Sequence, residues 1–335
     1  MTTKRLPDNT SGITEAAEIL KCGGVVAIPT ETVYGLAASA YDCGAIEKVF
    51  SAKGRPQDNP LIVHISDMEM LSSVACDIPK TAYRLAEKFW PGPLTLVLPR
   101  GENIPAAVSA GLSTVAVRMP SNTVAHNIIK QSGLPLAAPS ANKSGSPSPT
   151  KAEHVITDLD GKIDAVVLSD DCSVGVESTV VTLCTKPARL LRPGGITVEQ
   201  LRTILPDLSI DPAVLAEPEE GKPVASPGMK YKHYSPTTET IMVECDTGFA
   251  DFVNGKENCG ALCFLEEADH ISVPHVIYGS QENPGTLAEG LFSALREADK
   301  LGVARVYAHA PKKDGVGLAV YNRLIRAAGF KVEIL

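Results

Sequence analysis

The chain has 335 residues, 44% of them hydrophobic and 21% charged, and its net charge of −8 is uneven: residues 1–205 carry 19 Lys+Arg against 20 Asp+Glu, residues 238–335 carry 9 against 14. That length implies two domains, and no part of the chain is a strongly basic module, so tight binding to nucleic acid, which neutralises many phosphates, is not favoured and direct nucleic-acid binding is expected to be weak or absent. No apolar run approaches the roughly 20 residues that span a bilayer, and residues 1–9 lack the apolar core of a signal peptide, so a cytoplasmic protein without a membrane partner is expected.

In chain order, a helix is predicted over 13–21, with Ile13, Ala16, Ala17, Ile19 and Leu20 apolar and Gly23 and Gly24 closing it. The continuous apolar run 25–28 reads as a buried strand. Pro29-Thr30-Glu31-Thr32-Val33-Tyr34-Gly35-Leu36 follows it. Hydroxyls, a carboxylate and a tyrosine at the end of a buried strand suit ligand binding in an open α/β sheet; a capped turn is the alternative.

A helix over 45–50 leads into Lys53-Gly54-Arg55-Pro56-Gln57-Asp58-Asn59-Pro60-Leu61, and a short strand follows at 61–65. A stiffened loop carrying Lys53 and Arg55 suits an anion such as a polyphosphate. Taken alone, the pair reads more readily as a solvated turn than as a site. His64 ends the strand and is either structural or part of a site. Helices are predicted over 68–75 and 79–89, then a turn at Pro91-Gly92-Pro93 and strands over 94–98 and 113–120. Arg118, at the end of the latter, can clamp a carboxylate bidentately or stand as an exposed edge charge.

Strand 136–138 runs into Pro139-Ser140-Ala141-Asn142-Lys143-Ser144-Gly145-Ser146-Pro147-Ser148-Pro149-Thr150. This is not a Walker loop, because GxxxxGK[ST] is absent. Its hydroxyls and amide can surround a phosphate or ribose, unless it is simply an irregular turn. A helix over 151–159, a strand over 165–168 and a Thr197-capped helix over 197–205 complete a first domain over 1–205.

Residues 206–237, rich in Pro, Glu and Gly, read as a linker. Its end, Ser226-Pro227-Gly228-Met229-Lys230-Tyr231-Lys232-His233-Tyr234-Ser235-Pro236, alternates cations with aromatics. Such a segment stacks on a base and covers a nucleotide, or packs as a strand. Residues 238–335 alternate strands (240–243, 261–265, 275–278, 305–308) with helices (249–254, 284–301, 317–328), which implies a smaller, parallel, Rossmann-like α/β domain. It lacks GxGxxG. The eight cysteines form no CxxC pair and no metal site is expected from them.

Together, Lys53-x-Arg55, Ser140-x-Asn142, Pro29-Thr30-Glu31-Thr32-x-Tyr34-Gly35-Leu36 and Ser226-Pro227-Gly228-Met229-x-Tyr231-x-His233-Tyr234 resemble the YrdC-type L-threonylcarbamoyladenylate synthases, in the long form with a second C-terminal domain. The resemblance covers essentially the whole chain. It implies an α/β fold with a twisted open mixed sheet and flanking helices. It also implies ATP-dependent synthesis of threonylcarbamoyl-AMP from L-threonine and bicarbonate, with Mg²⁺ accompanying ATP and pyrophosphate leaving. The product would pass to a transferase that builds N6-threonylcarbamoyladenosine at tRNA position 37. By motif, Lys53 and Arg55 would be catalytic. Arg55, Asn59, Thr114, Ala138, Ser140, Asn142, Ser148 and Arg192 would hold ATP, with Tyr231 and His233 of the linker covering the site. Thr32, His64, Arg118 and Ser178 would line the threonine pocket. Two other classes stand beside this one: a nucleic-acid-binding module, disfavoured by the acidic balance, and a carbamoyl-transfer domain of hydrogenase maturation, disfavoured because zinc-finger cysteines and an acylphosphatase-like segment are missing.

Overall fold

The structure, a computed structural model, describes residues 2–217 and 234–335. Two compact units emerge: the first takes residues up to 144, 149–173 and 177–217, the second 145–148, 174–176 and 234–335.

The first unit runs β1 (Lys4–Pro7), α1 (Thr10–Lys21), β2 (Val26–Ile28), β3 (Gly35–Ser39), α2 (Cys43–Lys53), β4 (Ile62–His64), α3 (Met68–Val74), α4 (Lys80–Phe89), β5 (Leu94–Pro99), β6 (Thr114–Arg118), α5 (Thr123–Ser132), β7 (Leu136–Ala137), α6 (Ala152–Leu159), β8 (Ala165–Leu168), β9 (Thr179–Thr182), β10 (Arg189–Arg192), α7 (Val198–Arg202) and β11 (Ser209–Ile210). Among the described residues these strands form one 11-stranded sheet, ordered β1-β8-β2-β3-β7-β4-β6-β5-β9-β10-β11. It is mixed, as expected: β4 and β6 run parallel, while β2–β3 and β5–β6 run antiparallel.

Every residue of β2 and β3 is buried, as expected of interior strands covered on both faces. Over one face, Ile13, Ala16 and Leu20 of α1 pack with Ala125, Ile128 and Ile129 of α5 against Val26, Ile28 and Leu136. The Asn9 side chain caps α1, accepting from the Ser11 and Gly12 amides. α5 and the edge strand β1 carry no sequence-based expectation. Yet the signals for α5 are ordinary ones, an Asn122 cap and a left-handed Gly133 after the last turn.

Three expectations change. α2 extends through Lys53, because Asp42 caps its start and Gly54, at φ 61°, supplies the left-handed turn that ends it. Lys53 therefore stands on the last helical turn rather than in the loop. Arg118 is not an edge charge: β6 lies between β4 and β5, and the side chain is 3% exposed. The predicted linker starts too early. β11 pairs with β10, and the single turn Pro212–Val214 buries Val214, so those residues finish the sheet. Their Pro/Asp-rich composition masked two short pairing residues.

The second unit runs β12 (Glu239–Glu244), α8 (Phe249–Asn254), β13 (Cys259–Phe264), β14 (His275–Gly279), α9 (Pro284–Ala298), β15 (Arg305–His309), α10 (Gly317–Ala327) and β16 (Val332–Ile334). Its sheet, ordered β14-β13-β15-β12-β16, is parallel throughout. α9 buries Leu287, Leu291, Leu295 and Ala298. No helix among the described residues is long and apolar enough to cross a membrane.

Leu20 is fully buried where α1 meets α5 and the sheet. Leu20→Ala is expected to cost about 2–5 kcal/mol through lost burial plus the cavity left behind, read as a lower urea midpoint with an unchanged denaturant slope.

Candidate active site

Lys53 is 2% exposed although it carries an ammonium group. Its Nζ donates to Ser140 O in a short contact, to Asn142 O at 2.6 Å and to Asn142 Oδ1 at 3.3 Å. Ser140 Oγ donates to the same Oδ1 at 2.5 Å, and the Ser144 amide returns a bond to Lys53 O at 2.9 Å. The helix end thus carries the serine-rich loop on its ammonium. Burial pushes the Lys53 pKa well below its ordinary value, and the Arg55 charge pushes the same way. The solvated-turn alternative does not hold for Lys53.

The loop is also tied to the 29–36 segment. Gly35 bridges Ser140, the Leu36 amide donates to Pro139 O at 2.7 Å, and the Ala141 amide donates to Tyr34 O at 2.8 Å. The Ala138 amide donates to Ile62 O of β4 at 2.9 Å, and His64 lies two residues further along that strand.

A second cluster lies around Arg118. Its Nη1 donates to Thr32 Oγ1 at 2.7 Å and its Nε to Gly92 O at 3.3 Å. Its Nη2 stands 2.7 Å from Glu31 Oε1. Neither Glu31 oxygen nor Nη2 makes an aligned hydrogen bond there, so this is a charge contact with poor directionality. Burial is the largest influence and raises the Glu31 carboxyl; the Arg118 charge, the close Arg118 contact and the backbone N–H groups of Glu31 and Ser121 together outweigh it and hold the pKa below the ordinary value. Thr30 Oγ1 and Thr32 Oγ1 share a 2.8 Å bond.

Register brings the rest together. His64 pairs with Arg118 across β4–β6, and Thr95 pairs with Arg118 across β5–β6. Thr95 Oγ1 and Ser178 Oγ lie 2.7 Å apart. Arg192 donates to Ser178 O at 3.1 Å and to Ser178 Oγ at 3.2 Å. At Gly194 a Cβ would come within 2.3–2.5 Å of backbone atoms of Thr179, Glu177 and Ser178, so only glycine lets this segment lie against Ser178. Burial, then the Arg118 charge, push the His64 imidazole down to about 3. His64 is thus neutral near pH 7, with Nδ1 3.2 Å from Ile62 O.

Of the expected site residues, Lys53, Ser140 and Asn142 form one bonded group, Thr32 and Arg118 a second, and Ser178 and Arg192 a third; strand pairing sets His64 and Thr95 beside Arg118, and Thr95 bonds Ser178. Arg55 Nη2 donates to Asn59 O and Pro60 O at 3.4 and 3.3 Å. Asn59 is buried and its Oδ1 has no hydrogen-bond partner. Thr114 begins β6 at the end opposite Arg118, about 13 Å along the strand at about 3.3 Å per residue. No hydrogen bond joins it to the other expected residues among those described. Ser148 is buried and falls with the second unit. Tyr231 and His233 lie outside the described residues. Sequence reasoning left Glu31 and Thr95 without roles; Glu31 sits inside the 29–36 motif, whereas Thr95 gave no signal beyond its strand.

The family described as "Telomere recombination" (Sua5/YciO/YrdC) matches residues 18–194, and the family described as "Threonylcarbamoyl-AMP synthase, C-terminal domain" matches residues 196–329. A threonylcarbamoyl-AMP synthase of Pyrococcus abyssi is 44% identical, covering 95% of this chain and 94% of the relative. One of Bacillus subtilis is also 44% identical, covering 98% and 96%. The crystal structure of P. abyssi Sua5 complexed with L-threonine superposes with a TM-score of 0.91 at 40% identity, covering 100% of both chains. The chain belongs to the Sua5/YrdC family of threonylcarbamoyl-AMP synthases, in its long two-domain form.

Proposed function

We propose that this chain makes threonylcarbamoyl-AMP and pyrophosphate from ATP, bicarbonate and L-threonine, for N6-threonylcarbamoyladenosine formation on tRNA by a downstream transferase. The observation that carries the reading is a buried lysine bonded into the Ser140-x-Asn142 loop, tied through residues 29–36 and β4 to a buried arginine pocket. Arg118 would bind the threonine carboxylate. Its present contact with Glu31 is poorly aligned, and a well-aligned ligand carboxylate offers a stronger bidentate bond. Thr32 and Ser178 offer hydroxyls to the same ligand, and neutral His64 offers a hydrogen bond rather than a charge.

In the reaction, a carboxylate oxygen of N-carboxythreonine attacks the α-phosphorus of ATP, the new P–O bond forms, and the bond to the β-phosphate oxygen breaks to release pyrophosphate. Little covalent help is needed from the protein; positioning and charge stabilisation dominate. Lys53, Arg55 and Arg192 supply positive charge. Mg²⁺ would arrive with ATP and add positive charge at the phosphates; among the described residues no three His, Cys, Asp or Glu side chains are grouped to hold a metal.

Pyrophosphate release is expected to require threonine and bicarbonate together; release with ATP alone, at the full rate, would sink the proposal. Lys53→Ala and Arg55→Ala should each lower turnover by about 100-fold, the size expected for losing one stabilising donor at developing charge.

The pocket also sets a pH dependence. In the unfolded chain a His64-like imidazole takes a proton near pH 6.5, whereas the folded one resists until about 3. The unfolded state therefore binds more protons between these values, so this contribution is fully present above about 6.5 and is lost as pH falls. The melting temperature should drop between pH 7 and 5, a window above the Glu31 titration, and His64→Gln should flatten that slope.

A further inference from the structure

The second unit holds a group of titratable side chains that the synthase reading does not use. β12, β15 and β13 are parallel neighbours, so their carboxyl ends lie together, where open α/β sheets place ligands. Cys245 follows β12, His309 ends β15, and Glu267 sits in the turn Leu265–His270 after β13. Cys245 Sγ is 3.4 Å from His309 Nε2, and His309 Nδ1 is 3.0 and 2.9 Å from the two Glu267 oxygens. The imidazole is held in place. It stacks on Phe249 with centroids 4.6 Å apart, lies 4.5 Å from the Phe264 centroid, and Tyr278 Oη donates to the His309 carbonyl at 2.5 Å.

The order carboxylate, imidazole, thiol is that of a nucleophile beside a base oriented by a third group. Nδ1 faces a carboxylate and so carries the proton, which leaves Nε2 for the thiol. Nε2 also lies 3.1 Å from Cys245 O, a pure acceptor. Once Nε2 has taken the thiol proton, the imidazolium is held by Glu267 on one side and this carbonyl on the other. Cys245 is partly exposed and lines a cleft of about 330 Å³ with Asp246, Gln281, Ala310, Pro311 and Lys312. Burial, with the charges of Glu267 and Asp246, pushes the Cys245 thiol up, so attack needs a base. The three groups stand in series, and among the described residues none are arranged to hold a metal.

We propose that Cys245, His309 and Glu267 form a second, thiol-based site that transfers acyl groups from small activated esters to water. Cys245 Sγ attacks the ester carbonyl carbon while its proton passes to Nε2. The C–O bond breaks and the leaving alkoxide takes that proton. Water then attacks the thioester, His309 receives its proton, and the carboxylic acid leaves as the proton returns to sulfur. Glu267 acts through His309 as a positioning residue.

The test treats the full chain with p-nitrophenyl acetate, following nitrophenolate release and mapping acetylation by peptide mass spectrometry. The exposed Cys22, Cys43, Cys76 and Cys184 serve as internal comparisons. Cys245 should acylate about 100-fold faster than these, the scale of positioned general-base catalysis. Cys245→Ala should remove the fast phase and leave threonine-dependent pyrophosphate release unchanged. His309→Gln should slow acylation by a similar factor; because this ring packs between two aromatics, Glu267→Gln is the second variant, and Glu267→Asp should recover part of the rate that Glu267→Gln loses. Acetylation of Cys245 no faster than the exposed cysteines, or a fast phase indifferent to both His309→Gln and Glu267→Gln, would reduce the cluster to a satisfied core histidine and overturn the proposal.

Discussion

The ammonium of Lys53 sits among the oxygens of Ser140 and Asn142, and the rest of the first unit's site is arranged around that contact. A buried charge is costly unless hydrogen bonds replace its water. Here the replacement comes from a loop with no regular structure of its own, so the helix end and the loop fix one another's position. The Ser144 amide on Lys53 O closes the arrangement from the other side. Hydroxyls and an amide that would otherwise wander are thereby preorganised, which is what a reaction governed by positioning requires.

Arg118 plays the complementary part. Its guanidinium is buried against Glu31, Thr32 and Gly92, with Thr95 and His64 as strand neighbours. In so dry a setting each charge sets the state of the others: Glu31 is held ionised and His64 is held neutral. A ligand carboxylate entering the pocket would exchange one anionic partner for another rather than introduce a charge without compensation.

Much of this was legible in the residues. The buried strands, the end-of-strand Arg118 and the alternation of the second domain follow from apolar periodicity, and Lys53-x-Arg55 with Ser140-x-Asn142 pointed to the candidate site, in which Lys53, Ser140 and Asn142 meet. What was not legible is instructive. The sequence around Lys53 looked like a loop because Pro56 and Pro60 dominate it, although Gly54 marks the helix end one residue after the lysine. β11 was hidden because two pairing residues in a polar stretch leave no period. Thr95 meets Ser178 through a side-chain bond where β5 and β9 run side by side, a relation between residues 83 apart that no local pattern carries. The Cys245, His309 and Glu267 constellation was invisible for the same reason: its members come from three different strand ends.

The placement of Lys53 on the final turn of α2 also fixes a length. The helix is pinned at its start by the Asp42 cap and at its end by the lysine's bonds to the loop. Each residue added or removed between them would turn the lysine by about 100° around the helix axis and shift it about 1.5 Å along it. Substitutions on the exposed face of α2 leave this geometry alone, but single-residue insertions and deletions do not. Over evolutionary time this helix can change its composition far more freely than its residue count.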